Sequence, residues 1–204
     1  MHGRIEPNMS NGGYSTPMMQ QYQEIKKQYP ECILFFRLGD FYEMFLDDAK
    51  IGAKILDITL TSRHKGKDGQ IAMAGVPYHA AEGYISKLIN KGYRVAIAEQ
   101  VSDPHLPGLV KREVVRVVSA GTMLGDVEKV KRSNYIVSLL MNKKSFGMAM
   151  IDAGTGEFLC NQKRLGDGMS GLVNELGIIN IVECILPAKV YENTDLLAFL
   201  KLHT

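Results

Sequence analysis

Residues 32–63 read CILFFRLGDFYEMFLDDAKIGAKILDITLTSR. The opening CILFFRL (32–38) is a short, mostly apolar run, the mark of a strand buried on both faces of a sheet. Gly39-Asp40 predicts a tight turn, after which FYEMF (41–45) returns as a second strand. Asp47 and Asp48 suit the positive end of a helix, and Ala49, Gly52, Ala53 and Leu56 then recur at helical spacing. Residues 58–62 alternate as a further strand. Strands interleaved with a helix predict an α/β domain around a central sheet.

The flanks extend that pattern. Upstream, Thr16-Pro17 predicts an N-cap and first turn. Met18, Tyr22, Ile25 and Tyr29 then share one helical face, and Pro30 ends the helix. Residues 1–13 (MHGRIEPNMSNGG) are polar and aperiodic, so 1–15 is expected to be a disordered leader or tag. Downstream, a charged loop (RHKGKDGQ) precedes a strand over 71–76 and a helix over 79–91 closed by Gly92. Strands over 93–101 and 112–120 follow, with a Pro-rich loop between them.

From 121 to 132 the texture changes to Gly-Thr and then to charged residues without an apolar face. The expected organisation is a first domain over 16–122, a linker over 123–132 and a second domain over 133–204. In the second domain three strands in hairpin succession (134–141, 146–152, 156–160) precede a helix (165–176), a strand (181–186) and the start of a helix (196–202). That β-β-β-α-β-α order is the RNase H-like architecture, and it stops before the remaining elements, which predicts an excised fragment. The fold class is therefore α/β: a mixed-sheet domain with flanking helices, then an RNase H-like α/β domain, truncated.

Composition narrows function only a little. The 204 residues carry 24 Lys+Arg against 22 Asp+Glu, a net charge of +2, far short of the basicity that announces a nucleic-acid binder unaided. Basic residues cluster at Arg63, His64, Lys65 and Lys67, and again at Lys111, Arg112 and Arg116; clusters of this size are ordinarily solvated surface. Cys32, Cys160 and Cys184 stand alone, without CxxC or a His at ligand spacing. Cys32 and Cys184 lie in apolar runs, which predicts reduced core thiols of a cytosolic protein and no structural metal. No apolar run is long enough to span a bilayer.

Phe41 and Glu43 are the candidate chemistry. In a strand they point to one face and Tyr42 to the other. A ring so placed can wedge into a base step, and a carboxylate two residues on can hydrogen-bond a base edge. The plainer reading makes Phe41, Met44 and Phe45 core and Glu43 a solvated strand residue. Spacing alone favours the plainer reading.

Resemblance reverses that order. FFRLGDFYEMFLDDAKIGAKILDITLTSR (35–63), MAGVPYHAAEGYISKLINKGYRVAIAEQ (73–100) and REVVRVVSAGT (112–122) resemble the N-terminal mismatch-recognition domain of the MutS family over 16–122. Residues 133 onward resemble that family's connector domain, which is RNase H-like. The resemblance implies that Phe41 intercalates, that Glu43 contacts a base and that Met73 lies near the minor groove. Arg63, Lys65, Lys111 and Arg112 are candidate phosphate contacts by charge, and His79 is expected to cap a helix or join the core. The implied function is mismatch repair: binding double-stranded DNA at mispaired bases or small loops, and kinking it.

The resemblance also implies MutL as a partner through the connector domain, and a cytoplasmic, nucleoid-associated location. Homodimerisation, ATP and Mg are expected of the full-length protein alone. No GxxxxGK[ST] phosphate loop occurs in the sequence, so the chain is expected to bind no cofactor and to be no enzyme. Two alternatives stand beside this reading. One is an RNase H-like metal-dependent nuclease using Asp152 with Glu157, Glu175 or Asp195; the other is a protein-docking module only. A recombination paralogue is disfavoured by the Phe-x-Glu pair.

Overall fold

A computed structural model describes residues 16–64, 70–102, 108–123, 134–165 and 169–203. The expected leader and most of the expected linker fall outside these residues, as does Lys65. The chain divides into two compact units between Ser119 and Ala120.

In the first unit, α1 (Pro17–Gln28) leads into the hairpin β1 (Cys32–Leu38) and β2 (Phe41–Phe45). There follow α2 (Leu46–Leu56), β3 (Thr61–His64), β4 (Gln70–Pro77), a 3-10 turn (Tyr78–Ala80), α3 (Ala81–Ile89), β5 (Arg94–Gln100) and β6 (Arg112–Val118). The six strands form one mixed sheet in the order β3-β4-β2-β1-β5-β6, with β1 and β5 parallel and the other pairs antiparallel. Residues 32–36 of β1 are all buried, as a central strand covered on both faces requires.

One face of the sheet holds Leu34, Phe36, Phe45 and Ile71 in a cluster with Met19, Tyr22 and Ile25 of α1. Tyr22 meets the rings of Phe36 and Phe45 edge-on, at 5.5 and 5.1 Å. On the other face α2 comes down on Met44, where a Cβ at Gly52 would lie 2.4 Å from Sδ.

The second unit contains β7 (Tyr135–Met141), β8 (Ser145–Asp152), β9 (Phe158–Arg164), α4 (Ser170–Gly177), β10 (Ile181–Ile185) and α5 (Thr194–His203). Its sheet order is β10-β7-β8-β9, with β10 parallel to β7 and the rest antiparallel. Leu172 and Leu176 of α4 and Leu196 and Leu200 of α5 pack with Val137, Leu139, Phe146 and Met148. This is the expected β-β-β-α-β-α order on a mixed sheet.

Several expectations shift. The strand expected at 58–62 forms at Thr61–His64, because α2 closes on Asp57 in the left-handed region (φ 56°) and three residues then carry the chain to its partner β4. The helix expected from His79 begins as the 3-10 turn and becomes α-helical at Ala81; His79 is exposed with its ring edge-on to Tyr78, so it neither caps nor joins the core. Gly121 belongs with the second unit, where its amide donates to Glu183 Oε2 at 3.3 Å, so the division falls slightly before the expected end of the first domain.

Asp48 lies in the first turn of α2, as expected, and is also buried at 4% exposure. It accepts from Tyr22 Oη (3.0 Å), Leu34 N (3.0 Å) and Lys26 Nζ (2.8 Å).

Candidate functional site

The Phe41–Glu43 pair stands on β2 directly after a two-residue turn. Gly39 adopts φ 58° there, a left-handed conformation that glycine takes without steric cost. Arg37 secures this turn: its Nε donates to Gly39 O at 2.6 Å, and its guanidinium lies 3.6 Å over the Tyr78 ring and 3.8 Å from Glu99. Tyr78 N donates to Asp40 O at 2.9 Å, which ties the turn to the end of β4. Tyr42, pointing to the opposite face, is buried and donates to the Glu99 carboxylate. Burial and that acceptor push the Tyr42 hydroxyl up to about 12.

Along β2, Phe41, Glu43 and Phe45 alternate onto the face that α1 partly covers. Burial falls along that row: Phe45 is fully enclosed, Glu43 half-buried, and Phe41 44% exposed. The plainer reading is thus right for Met44 and Phe45, both 0% exposed, and does not hold for Phe41 or Glu43.

Across the β2–β4 ladder, Phe41 faces Pro77, Glu43 faces Gly75 and Phe45 faces Met73. Met73 is half-buried against the α1 cluster, one same-face position from Gly75, and pairs on its other side with Thr61 of β3. The Glu43 carboxylate lies against Gly75, and its Oε2 is the one buried side-chain polar atom without a hydrogen-bond partner among the described residues. Burial raises the Glu43 pKa, and the charge of Arg63 opposes the rise.

That raised pKa makes a prediction about the fold. A carboxyl whose native pKa exceeds its unfolded value favours the protonated native state, so its charged form weakens folding at neutral pH. Glu43→Gln should therefore melt higher than the parent at pH 7. The difference should shrink as pH falls through the raised value and vanish below the ordinary glutamate range. Equal melting temperatures across the whole range would show a solvated carboxylate.

The candidate phosphate contacts separate. Arg63 is exposed on β3, with Nη1 3.6 Å from Met18 Sδ. Lys111 is exposed and paired with Glu113. Arg112 is 6% exposed: Nε donates to Arg37 O at 2.5 Å, Nη1 to Val110 O at 2.8 Å and to Gln21 Oε1 at 3.2 Å, over the Phe36 ring at 4.7 Å. Its charge serves the fold, so the phosphate contact expected of Arg112 does not fit this placement. The clues that sequence reading passed over were a charged residue inside an apolar run, as for Arg37, and a basic residue opening a β-branched run, as for Arg112.

Among the described residues the nuclease alternative finds no carboxylate cluster. Asp152 is buried and accepts from the amides of Asn134 (3.1 Å), Gly154 (2.8 Å) and Thr155 (3.2 Å). Burial pushes its pKa up, but those donors outweigh burial and hold it below the ordinary range. Glu157 accepts from Tyr135 Oη and Glu175 pairs with Lys163. Among the described residues no three His, Cys, Asp or Glu side chains are grouped to hold a metal ion. Nor, among them, is any helix long and apolar enough to cross a membrane.

Fold and site define a class: a two-unit α/β protein whose first sheet presents an aromatic ring beside a half-buried carboxylate. Comparison with known proteins makes the class specific. MutS domain I matches residues 16–127 and MutS domain II matches 134–203, so the chain belongs to the MutS family.

Relatives described as DNA mismatch repair protein MutS include those of three bacteria. The Acetivibrio thermocellus protein is 46% identical over 188 residues, covering 91% of this chain and 22% of the relative. That of Symbiobacterium thermophilum is 49% identical over 175 residues, covering 84% and 20%. That of Halothermothrix orenii is 55% identical over 149 residues, covering 72% and 17%. The chain spans about a fifth of the length of the curated relatives it matches.

Proposed function

We propose that the chain is the mismatch-reading part of a DNA mismatch repair protein, with Phe41 as the wedge and Glu43 as the base contact. The observation that carries this is the pairing of an exposed ring with a carboxylate whose buried oxygen lacks a partner. An enclosed acceptor left unsatisfied is one that a proton can complete, or a base donor once the side chain turns outward.

The logic is differential deformation. Opening a base step for an aromatic wedge costs on the order of a few kcal/mol. A mispaired or unpaired base has already lost stacking and pairing, so the same kink costs less there. The protein need not read which bases are present, only how readily they yield. Arg63, Lys65 and Lys111 supply a sequence-blind phosphate attraction that weakens with salt. Met73, next along the face, lines the minor groove.

By the same reading the chain hydrolyses no ATP, and ATP, Mg and homodimer contacts belong to the full-length protein. The second unit, as a connector, docks MutL. A cytoplasmic, nucleoid-associated location goes with that substrate.

The test is Glu43. A carboxylate beside a polyanion is repelled, so it serves discrimination more than affinity. In a protein of the relatives' full length, Glu43→Gln should tighten binding to all DNA, to paired duplex most, and so lower the mismatched-to-paired ratio. Glu43→Ala also loses the hydrogen bond and should lower the ratio further without the same gain on mismatches. Binding curves on both duplexes decide it; a ratio unchanged by Glu43→Gln would remove Glu43 from the reading.

A further inference from the structure

Gly75 stands directly opposite Glu43 in the β2–β4 ladder. A Cβ built on it would lie 2.6, 2.8 and 2.9 Å from Oε2, Cδ and Oε1 of Glu43, its three nearest neighbours. All three atoms belong to one carboxylate, which therefore rests on the strand where a side chain would be. Gly75 is not required by its backbone: the glycines with positive φ are Gly39, Gly92, Gly108 and Gly156 among the described residues, and Gly75 is ordinary strand. At Gly39 the opposite holds, for there the φ is positive and no atom lies within 4 Å of the built Cβ. The one turns the chain; the other leaves room.

We propose that Gly75 is a positioning residue of the site: its missing Cβ is the berth that holds the Glu43 carboxylate flat against β4. The berth accounts for two features at once, the enclosure of Oε2 without a hydrogen-bond partner and the burial that raises the carboxyl's pKa. The charge acting on the carboxylate is that of Arg63 on β3. With the carboxylate down, the face beside Phe41 carries less exposed negative charge, and the group is primed to take a proton, or a base donor once it turns outward. That use rests on the mismatch reading; the berth itself does not, and its test needs no DNA.

The atoms a new Cβ meets are the far end of a flexible side chain, so Gly75→Ala should keep the fold and lift the carboxylate into solvent. In the 204-residue chain, NMR titration of the Glu43 carboxyl should show its pKa above that of exposed glutamates. In Gly75→Ala it should fall toward theirs. Thermal unfolding gives an independent arm. Any loss of melting temperature from Gly75→Ala should disappear in the Glu43→Ala background, where no carboxylate occupies the berth. An unchanged Glu43 titration in Gly75→Ala, or an equal loss in both backgrounds, overturns the proposal. Either outcome leaves the mismatch reading to its own test on Glu43→Gln.

Discussion

Phe41→Ala is expected to weaken binding of mismatched duplex by about 1–3 kcal/mol, the stacking of one ring on a base, and to leave paired duplex nearly unaffected. The selectivity follows from where the ring acts. A paired site resists opening, so the wedge contributes little there; a mismatched site yields, and the ring's stacking is realised in full. Phe41 is 44% exposed, so its removal takes little from the core and the melting temperature should hold. Phe41→Tyr should retain part of the selectivity, since its ring still stacks. Titrating labelled paired and mismatched duplexes with a protein of the relatives' full length measures this directly. An early-melting or insoluble Phe41→Ala would identify Phe41 as a packing residue, and an equal loss on both duplexes would make it a general DNA contact.

Asp48→Ala is expected to cost about 1–3 kcal/mol of stability, the price of leaving a buried donor without its acceptor. It takes the side-chain acceptor from the amide of Leu34 in the central strand, while the Tyr22 hydroxyl keeps Phe45 O at 3.2 Å and the partly exposed Lys26 ammonium keeps Cys32 O at 2.5 Å. Unpaired donors in an enclosed site lose water without replacement. A domain's total stability is about 5–15 kcal/mol, so the loss is a large share of it. Asp48→Asn keeps an acceptor and should lose less. Urea unfolding of the chain measures both; a loss under about 1 kcal/mol for Asp48→Ala would mean that the network sits in water. The same network holds α1 against β1 and the start of α2, and α1 covers the face on which Phe45 is buried and Phe41 is not. Stability and site geometry share this support.

Much of the first unit was legible in one dimension. Period-two alternation put Phe41 and Glu43 on one face and Tyr42 on the other, because neighbouring strand residues point to opposite sides whatever the sheet around them. The apolar run at 32–38 identified a central strand, since only burial on both faces tolerates it. GDFYE and AGVPYH carried the resemblance, and the family match agrees with it.

What lay beyond the sequence was depth and partnership. Spacing cannot say that Phe41 is open while Phe45, on the same face, is enclosed; that depends on where α1 lies across the sheet. Charge counting placed Arg112 on the surface, whereas the fold wraps it in three acceptors and the face of a ring. Asp48 read as a helix-end carboxylate and became the acceptor for a strand amide fourteen residues earlier. Gly75 lies far along the chain from Glu43, and only the strand register sets the two opposite. The sequence by itself determined which side chains share a face, because backbone geometry is local. The tertiary structure decided how deep each one sits and which atoms it meets, because burial depends on segments that only folding brings together.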